Sequence, residues 1–159
     1  MQRQRIIAPV TFAPDSLEAA AVAAELAAAL EAELLLVGIA PVVPPDPSPE
    51  SPITLETLQV QAEHQRLLDQ IMLERLGELA VGLPDGVRCR TLLSWGPVGP
   101  ALVGAAREQR ADLVVVPIRR ESELAHLPHD HADRYVLHHS DVPVIVVPTT
   151  GHRAPLTES

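Results

Sequence analysis

Three short stretches of this chain are apolar almost from end to end: LLLVGIA (34–40), DLVVV (112–116) and PVIVV (143–147). A strand with one wet face alternates apolar and polar residues, so a short run without alternation reads as a strand buried on both faces. Longer segments with helical spacing separate these runs. RIIAPV (5–10) and VRCRTLL (87–93) add two more strand-like stretches, the second alternating as a strand with one wetter face does. The resulting order is β-α-β-α-β-α-β-α-β. It predicts an α/β fold: an open five-stranded parallel sheet, Rossmann-like, with helices on both faces and right-handed crossovers.

The helical segments follow from their spacing. Residues 15–33 are rich in Ala and Leu, and Asp15 with Glu18 reads as an N-cap carboxylate and its reciprocal partner. Residues 54–81 place Leu55, Leu58, Ala62, Leu68, Ile71, Met72, Leu76 and Leu79 as an inward face, with polar residues opposite. ALVGAAREQR (101–110) and a short stretch at about 130–140 complete the set. PVVPPDPSPESP (41–52) holds six prolines and reads as a stiff, exposed connection. SWGPVGP is a turn, in which Gly96 and Gly99 open the third helix. Trp95 beside it packs over the sheet edge or lines the cleft. One domain over 1–148 and a loose tail over 149–159 are expected.

Composition removes several function classes. The formal net charge of -9 opposes binding to nucleic acid or anionic membrane, and an aromatic content of 2% leaves few side chains on which bases could stack. All twelve basic residues are Arg, which excludes a Schiff-base lysine and a phosphate-loop lysine. The single cysteine, Cys89, allows no internal disulfide and reads as a buried, inert thiol. No apolar run reaches the roughly 18 residues of a spanning helix and no apolar leader opens the chain, so a cytoplasmic location is expected.

In parallel sheets ligands sit beyond the carboxyl ends of strands, where strand order reverses. Those ends are Pro9-Val10-Thr11, Gly38-Ile39-Ala40 and Val116-Pro117, and PIRRESELAHLPHDHADR (117–134) lies on the same rim. Three readings of that stretch stand. His126, His129 and His131, with Asp130 between, are weak metal-ligand candidates of permissive spacing but no strong signature; His131, Tyr135 and His138 could share a helix face. Arg119, Arg120 and Arg134 could hold a phosphate or carboxylate by side-chain forks. The third reading is a phosphate loop whose chemistry has been lost. No catalytic residues are assigned: Ser94, Ser122 and Ser140 lie in no nucleophile elbow, and Asp130 with Asp133 reads as helix capping.

Taken together, IIAPVTFAPDSLEAA, GPVGPALVGAAREQRADLVVV and HADRYVLHHSDVPVIVVP resemble the universal stress protein family across residues 4–148. The resemblance implies strand order 3-2-1-4-5, the adenine-nucleotide alpha-hydrolase-like arrangement, and homodimers joined through the last strand. Some members bind ATP with Gly, two residues, Gly, nine residues, Gly, then Ser or Thr after the fourth strand, and an Asp ending the first. Here those positions fall on Pro117, Arg120, Asp130 and His131, and the Asp position on Thr11. Pro117 has no N–H and a fixed φ. Arg120 fills space the cradle needs empty, and a carboxylate at Asp130 would occupy and repel at a helix start where phosphate binds in relatives.

The cleft candidates are therefore Pro9, Val10, Thr11, Ile39, Val116, Pro117, Arg119, Arg120, Asp130 and His131. No cofactor is expected, and ATP or AMP is disfavoured. The chain reads as a regulatory or ligand-sensing module, homodimeric through Pro143 to Pro148, and not as an enzyme. The alternatives are an ATP- or AMP-binding protein with altered contacts and slow hydrolysis, and a histidine-based metal or pH sensor.

Overall fold

The computed structural model describes residues 3–43, 53–119 and 131–149. Five strands, β1 (Arg5–Val10), β2 (Glu33–Ala40), β3 (Arg88–Trp95), β4 (Leu113–Arg119) and β5 (Val144–Thr149), alternate with four helices: α1 (Asp15–Leu30), α2 (Leu55–Val81), α3 (Val98–Glu108) and α4 (Ala132–His139). All strand pairings are parallel, in the order β3-β2-β1-β4-β5.

Period-two alternation sorts the central strands into two cores. Ile6, Ala8, Val10, Leu34 and Leu36 face one side with the alanines of α1 and with Met72 and Leu76 of α2. Ile7, Leu35, Val37, Ile39, Val114 and Val116 face the other, against Leu102, Val103 and Ala106 of α3 and Val136 of α4. Every large aliphatic side chain so enclosed contributes about 1.5–3 kcal/mol relative to exposure. Continuous apolar runs were therefore the right signal for strands covered twice. Gly38 marks one close approach: a Cβ there would lie 2.6 Å from Leu76 Cδ1 and 2.8 Å from Met72 Cγ.

Several local expectations change. Asp15 is not the N-cap of α1. Pro14 takes that position with φ -62° and ψ -24°, because its ring already holds a helical φ, and it makes no side-chain cap. The capping box lies instead on α2, where Thr57 N–H donates to Thr54 Oγ1 and Thr54 N–H to Thr57 Oγ1. Helix α3 begins at Val98, three residues early, since Pro97 and Pro100 both suit a first turn. Strand β4 runs to Arg119 because β5 pairs with it that far, and β5 itself ends on the buried Thr149.

The ends of α1 and α3 share a feature. Glu31 and Arg110 adopt φ of 54° and 53°, while Ala32 N–H and Ala111 N–H reach back 2.9 Å to Ala27 O and Ala106 O. This is the left-handed helix stop that glycine usually fills; side chains there cost about 1–2 kcal/mol.

Helix α2 departs most from its expected face. Its buried residues are Met72 and Leu76, Leu68 and Leu79 are half-buried, and Leu55, Leu58, Ala62 and Ile71 are exposed. Residues 53–60 are all exposed, so only the later turns of this helix lie on the sheet. Among the described residues no helix is long and apolar enough to cross a membrane.

Candidate functional site

Strand order reverses between β1 and β4, whose crossovers leave in opposite directions. Their pairing is recorded at Ile6↔Leu113 and Ile7↔Val114 and goes no further, whereas β4 keeps its register with β5 out to Arg119↔Thr149. Pro9 and Pro117 stand on the two facing strands beyond that last rung. Neither can donate to a ladder, so the sheet forks there. The fork is the crevice at which a ligand of this architecture sits.

The loop after β1 is tied into itself. Thr11 N–H donates to Ser16 Oγ at 3.0 Å, and Ala13 N–H donates to Thr11 Oγ1 at 3.1 Å. Ser16 Oγ–H lies within reach of the carbonyls of both Ala13 and Thr11. Thr11 thus spends its amide and accepts with its hydroxyl in a local turn. Ser16, 1% exposed, is the organising residue that sequence reasoning missed. Its signal was a hydroxyl at the start of an alanine-rich helix.

The cleft candidates divide by burial. Pro9, Val10, Ile39 and Val116 are buried; Val10 packs in the α1/α2 core and Ile39 and Val116 in the α3/α4 core, so they shape the floor and expose little to a ligand. Thr11 and Pro117 are half-buried at the fork, and His131 is exposed at the N-cap of α4. Arg119 ends β4. Arg120, Asp130, His126 and His129 lie outside the described residues, and with them the capping role assigned to Asp130. The N-cap position itself falls on His131, which makes no side-chain cap hydrogen bond.

Tyr135 stacks on His139, with ring centroids 4.0 Å apart and planes 13° from parallel. His139 Nδ1 lies 2.9 Å from Tyr135 O, which can only accept, so that nitrogen carries the proton. Among the described residues no three His, Cys, Asp or Glu side chains converge on a common point. Gly99 sits under the same tyrosine: a Cβ there would fall 2.7 Å from Tyr135 Cβ, so the glycine serves helix packing rather than phosphate.

Trp95 belongs to the sheet edge. Its indole N–H donates to Asp69 Oδ1 of α2 at 2.9 Å, and Gln65 donates to the same carboxylate at 3.0 Å. Gln65 also donates to Pro41 O and accepts from Val43 N–H, and Gln61 donates to Val43 O. Gln61, Gln65 and Asp69 follow at intervals of four along one face of α2. They clamp the point where the chain leaves β2.

The recorded ion pairs, Glu33 with Arg5 and Arg90 and Arg107 with Asp141, lie at the opposite, amino-terminal rim. Cys89, in edge strand β3, is half-buried rather than fully enclosed; burial first, then the neighbouring Glu33 carboxylate, pushes its thiol pKa up.

A fork at the reversal of a 3-2-1-4-5 sheet is the frame against which known proteins compare. The family model described as "Universal stress protein family" matches residues 2–148. This chain belongs to the universal stress protein family. Among solved structures, UspA from Lactobacillus plantarum is 18% identical, with 92% of this chain and 99% of that one covered and a TM-score of 0.68. A hypothetical protein whose biochemical function was assigned from its structure is 14% identical over 94% and 99% of the two chains, with a TM-score of 0.72. A universal stress protein crystallised in complex with cAMP is 20% identical over 94% and 100%, with a TM-score of 0.57. At such identities these likenesses establish the fold. No curated protein matches the chain.

Proposed function

We propose that this universal stress protein-like module is a regulatory, ligand-sensing homodimer that does not grip ATP by its relatives' glycine-loop mode. The observation that carries this reading is the commitment of Thr11. Its N–H and hydroxyl are engaged by Ser16 and Ala13, at the position where ATP-binding relatives place an Asp. Pro117, on the other side of the fork, has no N–H to offer a phosphate.

The sheet edge supports the dimeric part of this reading. Strand β5 is outermost and mostly apolar, preceded by Pro143 and with Pro148 inside it. A bare edge of that kind invites pairing, and a two-fold copy closes it.

The second reading keeps an adenine nucleotide in the fork through altered contacts. The relative solved with cAMP favours it, since that ligand needs no triphosphate cradle. Isothermal titration of the untagged protein with ATP and magnesium, then with cAMP and AMP, separates the two. Absence of heat and of thermal shift with ATP is expected. Micromolar ATP affinity lost on magnesium removal refutes the first reading, and a cAMP or AMP response alone favours the second. Light scattering at micromolar concentration is expected to give a dimer mass, and a monomer refutes the edge pairing.

A further inference from the structure

Helix α2 carries an exposed apolar seam along a flank beside the face it lays on the sheet. Val60, Leu67 and Ile71 are 60%, 53% and 43% exposed, and stand seven and four residues apart. That spacing puts them on one stripe, with the exposed His64 between the first two. Met72 and Leu76, fully enclosed, set the sheet-facing side, about 100–140° round the helix from Ile71. Nothing among the described residues covers the seam. Single exposed aliphatic side chains are ordinary, but an aligned row along a long helix marks a contact surface.

Charge identifies what fits it. Glu56 and Glu63 lie before and beside the seam, and Glu74 and Glu78 past its end, all exposed. None of the four forms an ion pair among the described residues. The basic groups near this face are His64 within the stripe, the half-buried Arg75 on the other flank, and the exposed Arg66 beyond Glu63, so the acids outnumber the arginines. A second copy docking antiparallel through Leu67 and Ile71 would set Glu63 of one chain against Glu74 of the other, which repels. The same acids repel an anionic lipid surface.

We propose that this face of α2 docks an α-helix of another protein, one that presents aliphatic side chains at three- and four-residue spacing with Lys or Arg along its flank. The mode is helix against helix, with apolar side chains supplying affinity and the acidic row setting orientation and partner choice. It lies over β2 and β3, so pairing through β5 at the far edge leaves it accessible.

The test uses the full chain and a synthetic amphipathic peptide of about five helical turns with a leucine seam and lysine flanks. Two controls accompany it: a scrambled peptide of the same composition, and one with glutamate flanks. Amide shifts confined to residues 60–78 are expected. So is binding at least about tenfold weaker for either control and for the Leu67→Ser/Ile71→Ser variant, and weakening with added salt. Both substitutions are at exposed positions, and an unchanged melting curve verifies the fold. Equal binding of the scrambled peptide, shifts elsewhere, or no effect of the double variant overturns the proposal. A lower oligomeric mass of the double variant overturns it too, by assigning the seam to a second copy.

Discussion

Replacing Gly38 by alanine tests how α2 is seated on the sheet. The new Cβ would lie 2.6 Å from Leu76 Cδ1 and 2.8 Å from Met72 Cγ, against the 3.5–4.0 Å at which carbon atoms rest. Both neighbours are fully buried, so the strain must be relieved by rotamer changes or by moving α2 outward about 1 Å. Overpacking of this kind costs about 1–3 kcal/mol, offset by about 0.5–1 kcal/mol from removing a strand glycine. The net expectation is a loss of about 1–2 kcal/mol, a urea midpoint lower by about 0.5–1 M for a slope near 2 kcal/mol/M. Leu76→Ala alone should cost about 2–5 kcal/mol by leaving a cavity. In the double variant the methyl group introduced by Gly38→Ala enters the space Leu76 vacates, so the pair should cost at least about 1 kcal/mol less than the sum. Gly77→Ala is the control: a Cβ there meets nothing within 4 Å, and helix propensity alone should stabilise by up to about 1 kcal/mol. Measurements at one protein concentration keep any association equilibrium constant. A neutral or stabilising Gly38→Ala, or strict additivity with Leu76→Ala, would refute the packing argument.

Other outcomes follow from single residues. Arg110→Gly should raise stability by about 1 kcal/mol in urea melts, because glycine adopts the left-handed turn without strain; a loss would show that the guanidinium contributes more than the backbone costs. Cys89 should react with a disulfide reagent several-fold more slowly than a free thiol at pH 8, and parity would contradict its burial. Its raised pKa means that the folded state retains the proton longer than the unfolded chain. The associated stability is intact below about pH 8.5 and falls as pH rises towards the folded value, which the Cys89→Ser variant should not show. Asp69→Ala should remove the acceptor of the Trp95 indole and of Gln65, change the fluorescence of the lone tryptophan, and cost about 0.5–1.5 kcal/mol. An unchanged spectrum would mean that the clamp does not persist in solution.

Much of the architecture was legible in the chain. Runs such as LLLVGIA are too short for a helix and too uniform for a half-wet strand, so burial on both faces was the consistent reading. Alternation with helical spacing then dictated parallel strands. The site was legible only as a register: Thr11 and Pro117 could be aligned with a nucleotide pocket by resemblance, but not the use to which Thr11 is put. A hydroxyl accepts or donates in many settings, and only the fold of the 11–16 loop shows Ser16 and Ala13 consuming its neighbourhood. Cap and face assignments failed for a related reason. Asp15 is a good capping residue preceded by a proline that suits the helix better, and Ile71 fits an apolar period whose axis the sheet did not adopt.

The sequence alone determined the order of elements, the two-sided burial of the central strands and the absence of lysine chemistry, since these depend on local spacing and residue type. Only the tertiary structure decided where β1 and β4 part, which side of α2 meets the sheet, and that Trp95 is pinned to the edge. Each of those depends on contacts between residues far apart in the chain, and spacing along one segment carries no information about which partner that segment will meet.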